Sequence, residues 1–277
     1  MLLDQNLYRR AHADLRQGIH ELEADTLSAL GSFDSHNLAE QRAVDLPNRT
    51  DSKYLFPVKL LPRFLAEVCA DHTVLQTDQH RIFTYENTYF DTNDWATYNA
   101  HHNGKLNRYK YRFRRYLETD MSYLEFKLKN NRNRTVKTRT RWHSEKPIEV
   151  MQDKVAVEPS LYVNYRRISL WNRATDERLT LDFDLRWCRP GQDNEVCLQH
   201  LFIAELKRDG KVSGSPFLRV AKNYGYRPNA MSKYCIGLCL TDDGALKQNR
   251  FKPLLAKLSG AIVKSTKNQS TMGTQTP

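Results

Sequence analysis

The sequence predicts an α+β protein built on an antiparallel sheet, closed or nearly closed into a barrel with a charged lumen, with helices packed outside. Three observations carry that expectation. Strand-like alternation recurs through the middle of the chain, it sorts charged side chains onto one face and apolar ones onto the other, and helix-period segments flank it. The charged face is rich in cations, and the 277-residue chain carries a net charge of +11. That balance favours an acidic partner: nucleic acid, an anionic membrane surface or a phosphate-rich substrate.

Residues 1–45 read as a helical segment, with Leu7, Leu15, Ile19, Leu22 and Leu30 at roughly helical spacing. Residues 46–242 then form the β domain. Its first strand, "RTDSKYLF", puts Arg49, Asp51 and Lys53 on one parity. "PVKLLPRFLAEVCA" at 57–70 follows with helical period and is a cover for an apolar sheet face.

"RYKYRFRRYL" at 108–117 poses the sharpest question. As a strand it points Arg108, Lys110, Arg112 and Arg114 one way and Tyr109, Tyr111 and Phe113 the other. Neighbouring same-face charges stand roughly 7 Å apart, and at an effective dielectric of about 20 each pair repels by about 2 kcal/mol. Something negative is expected against them. The pattern repeats in "YLEFKLKN", with Tyr123, Glu125, Lys127 and Lys129 opposite Leu124, Phe126 and Leu128, and in "RTVKTRTRW", with Lys137, Arg139 and Arg141 opposite Val136 and Trp142. "ERLTLDFDLRW" adds Arg178, Thr180, Asp182, Asp184 and Arg186, and "FIAELKRD" adds Glu205 and Lys207. Residues 243–277 read as a short helix, "PLLAKLSGAIV", and a polar, disordered tail.

A merely solvated face mixes Thr, Ser, Gln, Glu and Lys, so this clustering points to a binding site for a polyanion and a metal ion. Single-strand nucleic-acid binders place aromatics among the cations so that bases can stack. Here Tyr109, Tyr111 and Phe113 fall opposite the cations, which predicts phosphate recognition without base recognition and no nucleic-acid partner. Cys69, Cys188, Cys197, Cys235 and Cys239 show no paired framework, and no apolar run approaches about 18 residues. A soluble, cytoplasmic protein with reduced thiols is expected.

The segments "RTDSKY", "TYENTYFDT", "YRFRRY", "YLEFKLK", "TVKTR", "LDFDL", "AELK" and "MSKY" occur in the order of a VTC domain, and over this span the chain resembles that family. The family is the polyphosphate polymerase domain of the vacuolar transporter chaperone complex and its bacterial relatives, within the CYTH-like triphosphate tunnel metalloenzymes. The resemblance implies a tunnel of antiparallel strands that holds ATP or polyphosphate, with Mn2+ or Mg2+ as cofactor. By position Lys53, Arg112, Arg114, Lys127, Lys137, Arg166, Arg178 and Lys233 resemble its phosphate-binding set, Ser232 a hydroxyl donor to phosphate, and Glu205 its metal-binding glutamate. Arg49, Lys110, Arg139 and Lys207 join the phosphate set through the strand parity, while Glu125, Asp182 and Asp184 are further metal candidates or ion-pair partners of lumen arginines. The Glu-x-Glu-x-Lys strand of the broader superfamily corresponds here to Arg49, Asp51 and Lys53, which trades a metal ligand for a phosphate contact.

The activity this implies is transfer of the ATP γ-phosphoryl group to a growing polyphosphate chain, with Arg112, Arg114, Lys127 and Glu205 as catalytic residues. A tunnel triphosphatase or polyphosphatase, or a polyanion or nucleic-acid binder without catalysis, stays open at this stage. Transmembrane and inositol-phosphate-sensing parts of the eukaryotic members have no counterpart here, so a stand-alone bacterial form is expected, with a membrane-protein partner and the oligomeric state left open.

Overall fold

Alternating hydrophobicity needs a partner surface for its apolar face, and the chain supplies one with helices and with the sheet's own aromatics. The computed structural model describes residues 22–43, 49–131, 135–142, 156–209 and 214–266, which fold as two compact units. Of the expected N-terminal helical segment, residues 1–21 lie outside the described residues; from residue 22 it is helix α1, running to residue 31.

The first unit takes the described residues up to Ile82, then Ile168–Asp182 and His200–Asn229. Its strands are β1 (Ser35–His36), β2 (Arg49–Pro57), β3 (Thr73–Leu75), the distal part of β8 (Glu158–Asn172), the proximal part of β9 (Glu177–Cys188) and β11 (Leu201–Asp209). They run in the order β1-β3-β8-β9-β11-β2; β3–β8, β9–β11 and β11–β2 pair antiparallel and β1–β3 pairs parallel. Between β1 and β2 lies the short helix α2 (Leu38–Ala43). Helix α3 (Leu61–Val68) follows β2, and its i, i+3, i+4, i+7 stripe of Leu61, Phe64, Leu65 and Val68 is buried throughout. Phe64 packs with Phe56 of β2 at 5.3 Å, Phe56 stacks on Phe202 of β11 at 5.2 Å, and Phe217 completes the cluster. Phe217 comes from α5 (Pro216–Asn223), started by Ser215, whose hydroxyl accepts from Leu218 N and donates to the buried Glu177.

The second unit comprises Phe83–Arg167, Phe183–Gln199 and the described residues from Ala230 onward. It adds β4 (Phe83–Asp91), β5 (Arg108–Tyr116), β6 (Met121–Lys129), β7 (Thr135–Arg141), β10 (Asn194–Leu198) and β12 (Ile262–Thr266). The order is β12-β10-β9-β8-β4-β5-β6-β7. Helices α4 (Ala96–His102), α6 (Lys233–Leu240) and α7 (Lys252–Leu258) belong to it. Tyr234 through Cys239 of α6 are all buried, as an all-round apolar helix requires. Asp91 ends β4 and starts α4: one carboxylate oxygen accepts from Thr92 N and Thr97 N, the other from Tyr98 N and the Tyr234 hydroxyl. Tyr111, Phe90 and Val157 form a buried cluster with Tyr109, Phe113 and Phe126, the apolar face expected of β5 and β6.

Two expectations need correction. Among the described strands the second unit's order has two ends, β12 and β7, so the α+β, mainly antiparallel character holds while closure into a barrel is not seen. The helix expected through Val263 stops earlier: α7 ends at Leu258 and Ile262–Thr266 is strand β12, paired with β10, because Ile262 and Val263 favour an extended backbone with a partner available. The rest of the expected tail, 267–277, lies outside the described residues. No described helix is long and apolar enough to cross a membrane.

Gly237 of α6 is a contact point, where a Cβ would overlap the Trp187 ring and stand 2.8 Å from Leu161 Cδ2. Gly237→Ala is expected to lower stability by about 1–3 kcal/mol through overpacking. Thermal unfolding measures it, and an unchanged melting temperature would contradict this packing.

Candidate functional site

Registers in the second unit decide which side chains share a face. Lys110 pairs with Lys127, Arg112 with Glu125 and Arg114 with Tyr123 across β5–β6; Lys127, Glu125 and Tyr123 pair with Lys137, Arg139 and Arg141 across β6–β7. Directly paired residues point to the same side, so the expected cation face is assembled over three strands. Glu125 is the acidic residue of β5, β6 and β7, and it is 2% exposed.

The cations converge on that carboxylate. Arg112 donates to Glu125 Oε2 through Nε at 3.0 Å and also through Nη2; Lys137 Nζ stands 2.6 Å and Arg139 Nε 3.6 Å from Oε1. Burial alone would raise the Glu125 carboxyl, but Arg112, Arg114 and Lys137 outweigh it and hold the group far below the usual carboxylate range. A carboxylate so stabilised in its charged form is a weak base.

Across β4–β5 the face continues as Tyr85, Asn87 and Tyr89, opposite Tyr116, Arg114 and Arg112. Arg114 is 6% exposed: its Nε donates to Asn87 at 2.8 Å, its Nη2 to the Tyr165 hydroxyl at 2.7 Å, and its guanidinium lies 4.8 Å from the Tyr85 centroid. Arg112 donates to the Tyr89 hydroxyl at 3.1 Å. Burial pushes the Tyr89 phenol up, yet Arg112, Arg114, Lys110 and Lys233 outweigh it and leave the phenol more acidic than usual. Tyr89 stacks on Tyr234 of α6 at 5.1 Å.

The start of α6 adds two expected residues. Ser232 Oγ accepts from Lys110 Nζ at 2.9 Å and caps the helix by accepting from Cys235 N at 3.3 Å, and Lys233 Nζ lies 4.8 Å from the Tyr165 ring. Arg166 differs from expectation. Tyr165 pairs with Tyr85 on the cation face, so Arg166, paired with Thr84, points to the other side and lies 5.3 Å from the Phe183 ring. Arg167 takes the cation face instead, 5.0 Å from Tyr85 and 5.3 Å from Tyr165. Asp184 has a left-handed backbone (φ 51°), and its carboxylate pairs at 3.1 Å with Arg186, the arginine that shares its sequence parity.

In the first unit, Lys53 pairs in register with Glu205, and Asp51 with Lys207; Glu205 and Lys207 in turn face Thr180 and Arg178 of β9. Glu205 accepts an ion pair from Lys207 at 3.2 Å and from Lys53 at 3.6 Å. Asp182, fully buried, lies on the same face, paired with Ile203. Arg49 opens β2, but its side chain lies outside the described residues. No three His, Cys, Asp or Glu side chains converge among the described residues, so the carboxylates do not form a complete cage. Glu205 and Asp182 are the carboxylates of this face that could hold Mg2+ or Mn2+, in the mode where one or two carboxylates bind an ion that takes its remaining ligands from phosphate and water.

Sequence parity missed part of the face. It placed Tyr123 on the cation face and the aromatics of β5 opposite, yet Tyr85, Tyr89, Tyr116 and Tyr165 also stand among the cations. The signal was present for Tyr116, which shares the parity of the cations on β5.

Adjoining strands thus carry a face of guanidinium, ammonium and phenol groups around one buried carboxylate, with positive charge in excess. The VTC domain family matches residues 48–157 and 145–241, and the chain belongs to that family. Among solved structures, a candidate adenylate cyclase from Vibrio parahaemolyticus is 14% identical, covering 70% of this chain and 99% of its own, with a TM-score of 0.45. A candidate adenylyl cyclase from Hippeastrum, described with a dominant triphosphatase activity, is 13% identical over 70% of this chain and 97% of its own, TM-score 0.39. The PH1819 protein of Pyrococcus horikoshii is 11% identical over 69% and 98%, TM-score 0.41. A comparison with curated proteins found no match.

Glu125→Gln leaves Arg112 and its neighbours without their counter-charge and is expected to destabilise the fold by about 3 kcal/mol. A carboxyl held low in the folded state contributes stability above its unfolded pKa, about 4.3, and loses it as pH falls towards the folded value. Denaturant unfolding is therefore expected to show stability declining below about pH 4.5, with a shallower decline in the variant. Parallel declines would remove Glu125 as the source.

Proposed function

We propose that the chain is a polyphosphate polymerase: it binds ATP and inorganic polyphosphate on the cation face and transfers the γ-phosphoryl group to the chain end, releasing ADP. The observation that carries this reading is the convergence of Arg112, Lys137 and Arg139 on Glu125 within a face built by β5, β6 and β7. Such a face neutralises and aligns phosphates, and phosphoryl transfer depends on alignment and charge stabilisation more than on a base. The attacking phosphate oxygen is already anionic.

Roles follow from accessibility. Lys127 is exposed and Lys110 half-buried beside Ser232, so both reach an incoming phosphate. Arg112 offers a planar donor fork from a side chain 20% exposed. Arg114, enclosed by Asn87, Tyr85 and Tyr165, acts through its field and by fixing those side chains. Lys53, Arg178 and Lys207 supply cations around Glu205 on the first unit's face. A divalent ion at Glu205 would supply Lewis-acid stabilisation of phosphate charge. Glu125, held charged by its cations, is too weak a base to activate water, which leaves Glu205 as the carboxylate a hydrolytic reaction would have to use. The reading includes no nucleic-acid partner.

Incubation of the protein with ATP and Mn2+, following long-chain polyphosphate, ADP and orthophosphate together, tests the reading. Chain growth matched by ADP is the expected result; orthophosphate without chains would make the protein a hydrolase, and no turnover a binder. Lys110→Ala with Lys127→Ala is expected to weaken polyphosphate binding at least tenfold, about 1.4 kcal/mol. Arg115→Ala, which breaks only an exposed pair with Asp120 on the opposite parity, should leave binding within twofold or so. Glu205→Gln is expected to abolish turnover while polyphosphate still binds, and loss of both in a folded variant would refute that division of labour.

A further inference from the structure

The tyrosines of the cation face fall into two groups. Tyr85, Tyr89 and Tyr165 are buried and serve as supports for Arg114, Arg112 and Lys233. Tyr116 and Tyr123 keep accessible surface at the end of the face where β5 finishes and β6 begins. Their rings meet edge-on, 6.0 Å apart at 89°. Arg139 lies over the Tyr123 ring and reaches Tyr116: its guanidinium carbon is 3.4 Å from the Tyr123 centroid and 5.4 Å from that of Tyr116, and its Nη2 donates to the Tyr116 hydroxyl at 2.9 Å. The Arg139 side chain remains 30% exposed.

A guanidinium held over an aromatic ring, with part of its surface open, is a stacking platform for a planar heterocycle. The hydrogen bond to Tyr116 fixes its plane, so little rotamer freedom is left for a ligand to remove. Polyphosphate has no planar group: it would use the charge of Arg139 and gain nothing from the rings.

We propose that Tyr116, Tyr123 and Arg139 form a nucleobase seat, which orients a nucleoside triphosphate with its base at this end of the face and its phosphates towards Lys110, Lys127 and Lys137. This inference rests on the proposed binding of ATP to the face. From Tyr123 to Lys127 is four residues of strand, about 13 Å, a span that a ribose and extended triphosphate can follow. The seat makes the two substrates distinguishable: both use the cations, and the nucleotide alone uses the ring platform. Base stacking on an aromatic contributes about 1–3 kcal/mol.

Calorimetric titration of the full chain with ATP and with inorganic tripolyphosphate, at one salt concentration, tests this. Tyr123→Leu is expected to weaken ATP about tenfold and leave tripolyphosphate within about twofold, while Tyr123→Phe, which keeps the ring, behaves as the parent. Should Tyr123→Leu not fold, Tyr116→Leu carries the same test. Equal losses for both ligands, or no loss for ATP, would overturn the seat. Parent protein that binds tripolyphosphate but not ATP would overturn the seat and leave the phosphate face standing, whereas binding of neither would remove the face itself as a phosphate site. Tighter capture of a dA oligonucleotide than of ATP, lost in Tyr123→Leu, would reassign the platform to single-stranded nucleic acid.

Discussion

Repulsion among like charges is the constraint around which the second unit is organised. Arg112, Arg114, Lys110, Lys127, Lys137 and Arg139 are drawn to one side of three adjacent strands by an alternation that the apolar face imposes. Tyr111, Phe113 and Phe126 must reach their aromatic cluster, and a one-residue slip in register would turn every cation inward. Hydrophobic burial therefore holds the cations together against about 2 kcal/mol of repulsion per neighbouring pair. Glu125 relieves the centre of the array.

The face is stabilised without being fully neutralised. Glu125 balances one positive charge while contacting three cations, and the remaining relief comes from phenol oxygens and ring faces: Tyr89 under Arg112, Tyr85 and Tyr165 around Arg114, Tyr123 under Arg139. Neutral partners lower the cost of burying a guanidinium but leave its charge in place. A residual positive potential is the consequence, and it is what an anionic ligand meets.

Much of this was legible in the sequence because a strand's period of two is rigid. The face of Lys110, Arg112, Arg114, Glu125, Lys127, Lys137 and Arg139 could be read from parity alone, and the pairing of Lys53 and Lys207 with Glu205 is consistent with theirs. Reading failed where period was not the governing rule. The left-handed backbone of Asp184 is not something parity anticipates, although its pairing with same-parity Arg186 is. Arg166 and Arg167 are adjacent cations, and only the pairing of Tyr165 with Tyr85 tells which of them joins the tyrosines. Tyr85 and Tyr89 belong to a strand whose alternation is aromatic and polar on one side and Thr or Glu on the other, a pattern with no charge to mark its functional face. Closure of the sheet depends on pairings distant in sequence, which local pattern does not encode.

Arg114 has a consequence for behaviour in salt. Counter-ions screen charges that they can approach, and surface cations lose their reach beyond about 8 Å at physiological ionic strength. A guanidinium 6% exposed, wrapped by two tyrosines and an asparagine, is shielded from that atmosphere. Its field reaches the face from beneath, through protein instead of electrolyte. Anion attraction at a surface built this way would weaken with added salt less steeply than a simple tally of its cations gives, and the portion that persists would originate from a side chain nearly closed to mobile ions.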